Sequence, residues 1–308
     1  MSTLGSKHVR SSFFKAFTLT LLIAAFACTP AVADPAIQIT QCGTVITQPG
    51  HYILANDLSC SAAPVAPVIG APNRPNWWKN IQTPLAGFAP AATDDPISSD
   101  GIDIVADHVE LLLNGHTIDG GGSNIGISVG VGVASGNSHV HIVGPGTITN
   151  FGAGILFEQV SFSSVNNVII NNNGASFAIG GGFAAGCAEA CPSTKNDFTG
   201  NTVSLAEFGF ILDGANDNTL RDNNASNTFI GILLALAATG NDVRANTTNL
   251  NVGGIVLGIG GSDVTNNDIT HNTALNNAEA DLFDANPNCD SNTWKHNTFV
   301  TANQPCIQ

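Results

Sequence analysis

Residues 196–201 read Asn-Asp-Phe-Thr-Gly-Asn, and this six-residue phrase sets the pattern of the whole chain. Its polar-x-apolar-x-x-Asn form returns at 218–223, 241–246, 262–267 and 292–297. Short apolar runs that are broken by Asn and Gly are typical of strands separated by tight turns. An asparagine at one position of each coil tolerates the left-handed turn conformation, and its amide can bond to the asparagine of the next coil. We therefore expect an asparagine ladder through Asn201, Asn223, Asn246, Asn267 and Asn297.

A second phrase, a glycine followed by an apolar run, alternates with the first. Its copies begin at Gly101, Gly126, Gly154, Gly209, Gly231 and Gly254, and most of them lie 22 to 28 residues apart. A period of this length indicates a solenoid. No segment after the first 33 residues keeps a helical period, so each coil is expected to contain strands only, stacked in parallel about 4.8 Å apart. The sequence thus predicts an all-β solenoid of about eight coils.

With these two phrases, residues 100–303 resemble the right-handed parallel β-helix repeat proteins of the pectate-lyase-like superfamily. The opening segment 42–52 is similar to the N-terminal cap of exported bacterial members. The resemblance implies a single-stranded right-handed parallel β-helix at 100–308 with a disulfide-closed cap at 34–60. It also implies the activities of that superfamily, which include polysaccharide lyases, glycosidases, esterases and epimerases. The Asn-Thr-Asp and Gly-His-Gly elements of polygalacturonases are missing, and a fold does not by itself determine a reaction.

The amino end, residues 1–33, has the features of an export signal. Its three Lys and Arg residues lie within the first 15 positions, and an apolar stretch at 17–27 follows. The small-x-small site Ala31-Val32-Ala33 then predicts cleavage before Asp34. We expect a secreted or periplasmic protein. The whole chain has 23 acidic residues against 9 basic ones, a net charge of −14. This balance argues against nucleic acid and anionic membrane surfaces as partners, since both need a basic surface.

The chain has seven cysteines, and the six that follow the predicted signal fall in three local pairs. An even number in an exported chain favours disulfides over metal thiolates. Six cysteines allow 15 pairings, and the local pairing is chosen because its members are close in sequence. The middle pair is alternatively half of a metal site, and the last pair is expected to staple the final coil. The predicted pairs are Cys42 with Cys60, Cys187 with Cys191, and Cys289 with Cys306.

Histidines cluster near the start of the solenoid. In His139-Val140-His141 a buried valine would place both neighbours on the outside. Stacked on the preceding coil, His108, Glu110, His139 and His141 would form a two-by-two patch whose ligands suit Zn or Cu. The alternative is a solvated face that carries histidines and has no ligand.

A second group combines Arg221, Asp242 and Arg244, with Lys295 in the same outward column as the two arginines. A cation beside an acidic sugar neutralises the sugar carboxylate and helps a base to abstract the neighbouring proton, as a lyase requires. These residues are therefore catalytic candidates. The alternative is an exposed network of ion pairs, which contributes about 0–1 kcal/mol per pair. Because the chain is acidic, Ca²⁺ is the cofactor expected to bridge substrate carboxylates to protein acids.

Residues 61–99 form a proline-rich loop insertion between the cap and the solenoid, with seven prolines in 39 residues. Trp77 and Trp78 would stack on sugar rings, or alternatively pack down on the solenoid. Asp94 and Asp95 are further catalytic candidates, and together with the Asp100-x-x-Asp103 acids they would hold Ca²⁺ or act as an acid pair. Loops of this length without secondary structure are usually functional or disordered.

The glycine phrases also predict an outward apolar stripe, which either a loop of the same chain or a second copy would cover. We expect an exported protein that binds an extracellular polysaccharide. Whether it also cleaves this polymer is left open, and if it is an enzyme we expect a polysaccharide lyase or a glycosidase. The first alternative is a non-catalytic structural or oligomerising envelope or surface protein, a homo-oligomer through that stripe. The second is a periplasmic metal-handling protein. The stripe consists of Leu156, Ile211, Leu233 and Val256.

Overall fold

Nearly all regular structure in the described part of the chain is parallel β-sheet. The computed structural model describes residues 35–60, 100–121, 125–131, 133, 136–180, 192–259 and 263–308. These residues belong to one compact unit, Pro35–Gln308. The predicted signal, the proline-rich loop and the Cys187/Cys191 pair lie outside the described residues. Within that part of the chain no helix has the length and apolar character of a membrane span.

Three long sheets carry the structure, and all of their strands pair in parallel. The ten-stranded sheet contains Ile37–Ile39, Gly50–Leu54, Val109–Leu112, Val140–Val143, Ser164–Asn166, Asp197–Thr199, Thr219–Arg221, Asp242–Arg244, Asp268–Thr270 and Thr293–Lys295. The nine-stranded sheet contains Thr44–Ile46, Ile102–Ile104, Ile125–Val129, Ala153–Glu158, Ala175–Gly180, Phe208–Asp213, Ile230–Ala235, Gly253–Ile259 and Ala280–Asp284. The six-stranded sheet contains Leu58–Ser59, Thr117–Asp119, Thr147–Thr149, Ile169–Asn171, Thr202–Ser204 and Asn224–Ala225.

Each coil passes from the nine-stranded sheet to the ten-stranded sheet, and the early coils continue into the six-stranded sheet. A two-stranded sheet, Asn137–Ser138 with Val160–Ser161, and a 3₁₀ turn at Pro287–Cys289 complete the regular structure of the described residues. After the cap, eight strands follow in the nine-stranded sheet, which agrees with the predicted eight coils. The all-β solenoid is therefore confirmed.

The cap is itself a coil of the same design. Its strand Thr44–Ile46 pairs with Ile102–Ile104, and Gly50–Leu54 pairs with Val109–Leu112. The disulfide between Cys42 and Cys60 closes this coil. At the other end Cys289 and Cys306 form the predicted disulfide, with their Cα atoms 6.1 Å apart.

Two asparagine ladders run through the interior, where one was predicted. Asn267 was assigned to the wrong ladder, because two overlapping copies of the phrase share it. Its Nδ2 donates to Oδ1 of Asn292 at 3.1 Å, whereas Nδ2 of Asn246 donates to Oδ1 of Asn272 at 3.1 Å. The first ladder is Asn196, Asn218, Asn241, Asn267 and Asn292, and the second is Asn201, Asn223, Asn246, Asn272 and Asn297.

The glycine phrases mark the corner at which each coil enters the nine-stranded sheet. A Cβ atom on Gly209 would lie 2.3 Å from the carbonyl oxygen of Gly231, and one on Gly231 would lie 2.7 Å from that of Gly254. Consecutive coils approach so closely here that any side chain would collide with the next backbone. Beyond the corner, the side chains of the apolar run alternate between the two sides of the sheet, and Phe210 and Leu212 lie in the central core.

The outward residues of these runs form a second hydrophobic cluster. Ile211, Leu233 and Val256 are buried in the single chain, and Leu156 is half-buried. The predicted outward direction of the stripe is therefore confirmed. A homo-oligomer through it remains a prediction. The cluster consists of Phe208, Ile211, Ile230, Leu233, Ala235, Val256 and Ile259, with Phe229, Val252 and Phe283 packed against it.

Candidate functional site

The outward face of the ten-stranded sheet, here called the charged face, carries two neighbouring columns of polar side chains. Each short strand has one inward apolar residue, such as Phe198, Leu220 or Val243, so the residues on either side of it point outward. The first column is Asp197, Thr219, Asp242, Asp268 and Thr293. The second column is Thr199, Arg221, Arg244, Thr270 and Lys295.

The structure brings the predicted group Arg221, Asp242 and Arg244 together on this face. Nε of Arg244 lies 3.2 Å from Oδ2 of Asp242. The Arg221 guanidinium reaches Oδ2 of Asp197 at 3.9 Å and Oδ2 of Asp222 at 3.8 Å. These separations are long for hydrogen bonds, and Nε of Arg221 is shielded from solvent without a hydrogen-bond partner among the described residues.

Asp242 lies among charges of both signs on this face. Burial raises its pKa, the charges of Arg244 and Arg221 oppose that rise, and Asp268 and Asp197 add to it. The net result is a pKa above the ordinary value of an aspartate carboxyl, in a group that lies beside two arginines.

The four histidine-patch residues do not meet at one point. His108 and His139 lie in the turn before the strand, with φ of 55° and 57°, and only Glu110 and His141 are paired in register. The sequence pattern misplaced the two turn residues, because Val140 is inward without being the central residue of its strand. Among the described residues no group of three or more His, Cys, Asp or Glu side chains has the arrangement of a metal site.

Each member of that patch instead has a separate partner. The His108 and His139 rings stack with centroids 4.7 Å apart and planes 5° apart, and Phe162 stacks on His139 at 5.7 Å. Oε2 of Glu110 lies 2.6 Å from Nδ1 of His51. Nδ1 of His141 lies 2.9 Å from Oγ of Ser164. The patch is therefore a set of pairs along the coils.

A second acidic group lies where the coils enter the nine-stranded sheet. Oδ1 of Asp100 accepts the backbone N–H of Ile125 at 3.0 Å, and Ser128 donates its hydroxyl to buried Asp103. Burial raises the pKa of Asp100 to about 6, and the charge of Asp103 adds to that shift. These contacts join two coils and place a protonatable carboxyl beside a second one.

Sequence reasoning missed Glu158 and Asp213 on the outward side of the same sheet. Gly180 separates them in the register, so they are two coils apart. Burial raises the pKa of both carboxyls, that of Asp213 to about 6. Oδ1 of Asp213 is shielded from solvent and has no hydrogen-bond partner in the described part of the chain. The sequence does contain a signal for these two acids, because each is the first polar residue after a glycine phrase.

The remaining candidates, Trp77, Trp78, Asp94 and Asp95, lie outside the described residues, and their roles stay predictions.

Comparison with known proteins bears first on the fold. Residues 184–307 match the family model described as "Periplasmic copper-binding protein (NosD)". No curated protein matches the sequence.

Among solved structures, the chain is similar to a hyperthermoactive exopolygalacturonase from Thermotoga maritima, with a TM-score of 0.50 and 11% identity over 87% of this chain and 70% of the other. This chain is a right-handed parallel β-helix protein. The β-helix protein also matches a DFA-IIIase from Arthrobacter chlorophenolicus A6 (TM-score 0.45, 13% identity, 83% and 70% covered). A third match is the mannuronan C-5 epimerase AlgE4 A-module of Azotobacter vinelandii (TM-score 0.38, 12% identity, 89% and 89% covered).

The description of the matched family names copper, so the side chains of the β-helix protein that could bind this metal are relevant. Imidazole nitrogen suits copper, whereas the chain's single Met is its first residue and both Cys289 and Cys306 are in a disulfide. In the described part of the matched segment, the rings of His271 and His296 lie 5.0 Å apart. The described residues of the segment contain no group of three or more His, Cys, Asp or Glu side chains arranged as a metal site, and Cys187 and Cys191 lie outside the described residues. The two described disulfides also fit an extracellular or periplasmic location.

Proposed function

We propose that the β-helix protein is an exported protein that binds an acidic polysaccharide along its charged face. The observation that carries the proposal is the register of that face. Arg221 and Arg244 lie on consecutive coils, and Lys295 lies two coils further along the same column. Arg221 and Arg244 are therefore one strand spacing apart, about 4.8 Å, and Lys295 lies about 9.6 Å beyond Arg244, with Thr270 between them.

A linear acidic glycan also repeats its charged groups along one axis, so several of its residues can be bound by one column. Guanidinium groups bind carboxylates through two parallel hydrogen bonds, which gives orientation as well as affinity. The neighbouring column, with Thr219 between Asp197 and Asp242, supplies acceptors and a hydroxyl for sugar hydroxyl groups. Since the whole chain is acidic, local cations are what would attract such a polymer to this face.

Affinity electrophoresis of the purified protein through gels containing neutral or acidic polysaccharides, with and without Ca²⁺, tests this proposal. Arg221→Gln and Arg244→Gln should each weaken retention by acidic glycans about tenfold, since a hydrogen bond to a charged group contributes about 1.5–3 kcal/mol. Lys195→Gln is the matched control, because it removes the same charge from a lysine whose Nζ lies 5.2 Å from the Phe162 ring centroid. Equal retention of all three variants and the parent protein would refute the proposal.

Glycoside hydrolysis at Glu158 and Asp213 is a second candidate, favoured by the raised pKa of both carboxyls. Two coils correspond to about 9.6 Å between their backbones. Carboxyl groups of inverting glycosidases are about 6.5–9.5 Å apart, a distance that side-chain rotation makes accessible here. Protonated Asp213 would serve as the general acid and Glu158 as the base that activates water.

The enzymatic candidate predicts new reducing ends without the absorbance of unsaturated products. Asp213→Asn and Glu158→Gln should each abolish the release of reducing ends, whereas exposed Asp217→Asn should leave it unchanged. Unsaturated products would instead indicate elimination and direct attention to Arg221 and Arg244. If a broad panel of polysaccharides yields neither product nor retention, the non-catalytic structural role becomes the better hypothesis.

A further inference from the structure

The outward face of the six-stranded sheet carries a column of threonines. In the strands of this sheet a buried apolar residue, such as Ile148 or Val203, points inward, so the residues beside it point outward. Isolated bridges continue the same pairing over the later coils. Six of eight consecutive coils have a threonine at this outward position, and these are Thr117, Thr147, Thr202, Thr247, Thr273 and Thr298.

Ile169 and Asn224 occupy the two remaining positions of the column. The eight residues, here called the threonine face, therefore include no charged and no aromatic side chain, although the chain as a whole has a net charge of −14. The strands of this sheet pair residue by residue in continuous register. Seven strand spacings make the face about 34 Å long.

The threonine face is open to solvent. Thr202 and Thr298 are exposed and the other four threonines are half-buried, whereas the outward apolar column of the nine-stranded sheet is buried in the single chain. In the described part of the chain none of the six threonine hydroxyls hydrogen-bonds to another residue, in contrast to Thr239, whose hydroxyl donates to the carbonyl of Thr265 at 2.7 Å. The six hydroxyls are therefore available to a ligand.

Threonine is suited to a regular array of this kind. Its branched Cβ restricts χ1, so the hydroxyl and methyl groups of each residue keep few orientations. A hydroxyl group both donates and accepts hydrogen bonds. Because the coils stack in parallel, these groups recur about 4.8 Å apart along the column, with wider gaps at the two other residues. The result is a flat and uncharged array of hydroxyl and methyl groups.

The composition of the threonine face excludes several kinds of partner. Without cations it has no group that pairs with the carboxylates of an acidic glycan, which distinguishes it from the charged face. Without aromatic rings it lacks the surface on which a sugar ring stacks. A partner that fits is a solid whose hydrogen-bonding groups repeat at distances similar to the strand spacing. Ice is such a solid, because its water oxygens form a regular lattice that both donates and accepts hydrogen bonds.

We propose that the threonine face binds the surface of ice. Water molecules held by the hydroxyls form hydrogen bonds that are nearly as favourable as direct ones, and the regular spacing lets these waters continue into the ice lattice. The protein bound there blocks further growth of that surface. The face lies on a different sheet from the charged face, so ice binding does not depend on the proposed glycan binding.

Slow freezing of a solution of the purified protein tests the proposal, because growing ice excludes ordinary solutes and incorporates proteins that bind to it. The parent protein should be enriched in the ice fraction and should slow the recrystallisation of ice. Thr202→Arg and Thr247→Arg should each abolish both effects, since a long charged side chain keeps the ice surface away from the neighbouring hydroxyls. Circular dichroism of each variant verifies that its sheets are intact.

Thr265→Arg is the matched control, because Thr265 is a half-buried threonine outside the threonine face. It should be enriched in ice as the parent protein is. Exclusion of the parent protein from ice would overturn the proposal, and so would equal enrichment of the parent protein, Thr202→Arg and Thr247→Arg, or an equal loss in Thr265→Arg.

A second binding assay uses crystalline cellulose, a neutral solid with repeating hydroxyl groups. Retention of the parent protein on cellulose, lost in Thr202→Arg and without enrichment in ice, would assign the face to a neutral polysaccharide and overturn ice binding. Retention by acidic glycans is measured in a separate experiment, so failure of ice binding and failure of the proposed function are distinguishable.

Discussion

The outward faces of the two largest sheets arise from the same repeat, yet they have opposite character. On the ten-stranded sheet the outward columns are charged and half-buried or exposed, as with Asp242 and Arg244. On the nine-stranded sheet the outward column is apolar and buried at Ile211, Leu233 and Val256. The repeat determines the inward residues, because these must fill a core of constant cross-section. The outward columns are free to vary, and the candidate functional residues lie in them.

Strand length accounts for part of this difference. Strands of the later ten-stranded sheet have three residues and one inward side chain, which leaves two polar positions for each coil. Strands of the nine-stranded sheet reach six or seven residues and read as continuous apolar runs, the pattern of parallel strands buried on both faces. One face is therefore arranged like a binding surface and the other like a second core.

The largest expected effect tests whether the second cluster is a packed core. Leu233 is 1% exposed, so Leu233→Ala should lower the free energy of unfolding by about 2–5 kcal/mol, as cavity-forming substitutions do. Leu250 lies outside this cluster and is 58% exposed, so Leu250→Ala should change stability by no more than about 0.5 kcal/mol. Urea unfolding of the two variants gives the comparison. Similar losses at both positions would contradict the assignment of the second cluster as a packed core.

The sequence predicts the positions of outward residues correctly where consecutive coils have no insertion between them. Arg221 and Arg244 were placed correctly because the phrases at 218–223 and 241–246 are unambiguous and stack directly. His139 was misplaced because its phrase contains two inward residues, Val140 and Ile142, and local alternation does not say which of them begins the strand.

The acids of the nine-stranded sheet illustrate a different limit. Glu158 and Asp213 each follow a glycine phrase, but their pKa values depend on burial by residues that are remote in sequence. The tilt between His271 and His296 likewise depends on side-chain packing in two separate coils. A local pattern gives the position of such residues along the coil and does not give their surroundings.

A smaller effect is expected from the pH dependence of Asp213. Burial raises its pKa from 3.8 to about 6, so the folded state holds a proton that the unfolded state has released between about pH 4 and pH 6. The free energy of unfolding therefore falls as the pH rises from about 4 to about 6, because the buried carboxyl must lose its proton. Asp213→Asn, which cannot ionise, should be more stable than the parent by about 1–3 kcal/mol at pH 7.5 and nearly equal to it at pH 4.

Urea unfolding at the two pH values measures this difference, and exposed Asp217→Asn is the control that should show little dependence. A parent protein that gains stability relative to Asp213→Asn as the pH rises would contradict the assigned direction of the shift. The same measurement in 1 M NaCl should give the same difference, because burial rather than a partner charge is the cause and salt screens only charge pairs.

The smallest effect is expected on the charged face, where the Asp242–Arg244 pair has a separation of 3.2 Å between half-exposed side chains. A double-mutant cycle with Asp242→Asn and Arg244→Gln should give a coupling free energy of about 0.2–1 kcal/mol at low salt. In 1 M NaCl the screening length falls to about 3 Å, so this coupling should shrink while the Asp213 difference persists. A coupling of about 3 kcal/mol that does not respond to salt would mean that the pair is desolvated and structural. Arg244 would then be committed to Asp242 and unable to bind a glycan carboxylate, so the same cycle decides whether the charged face is free to act as a binding surface.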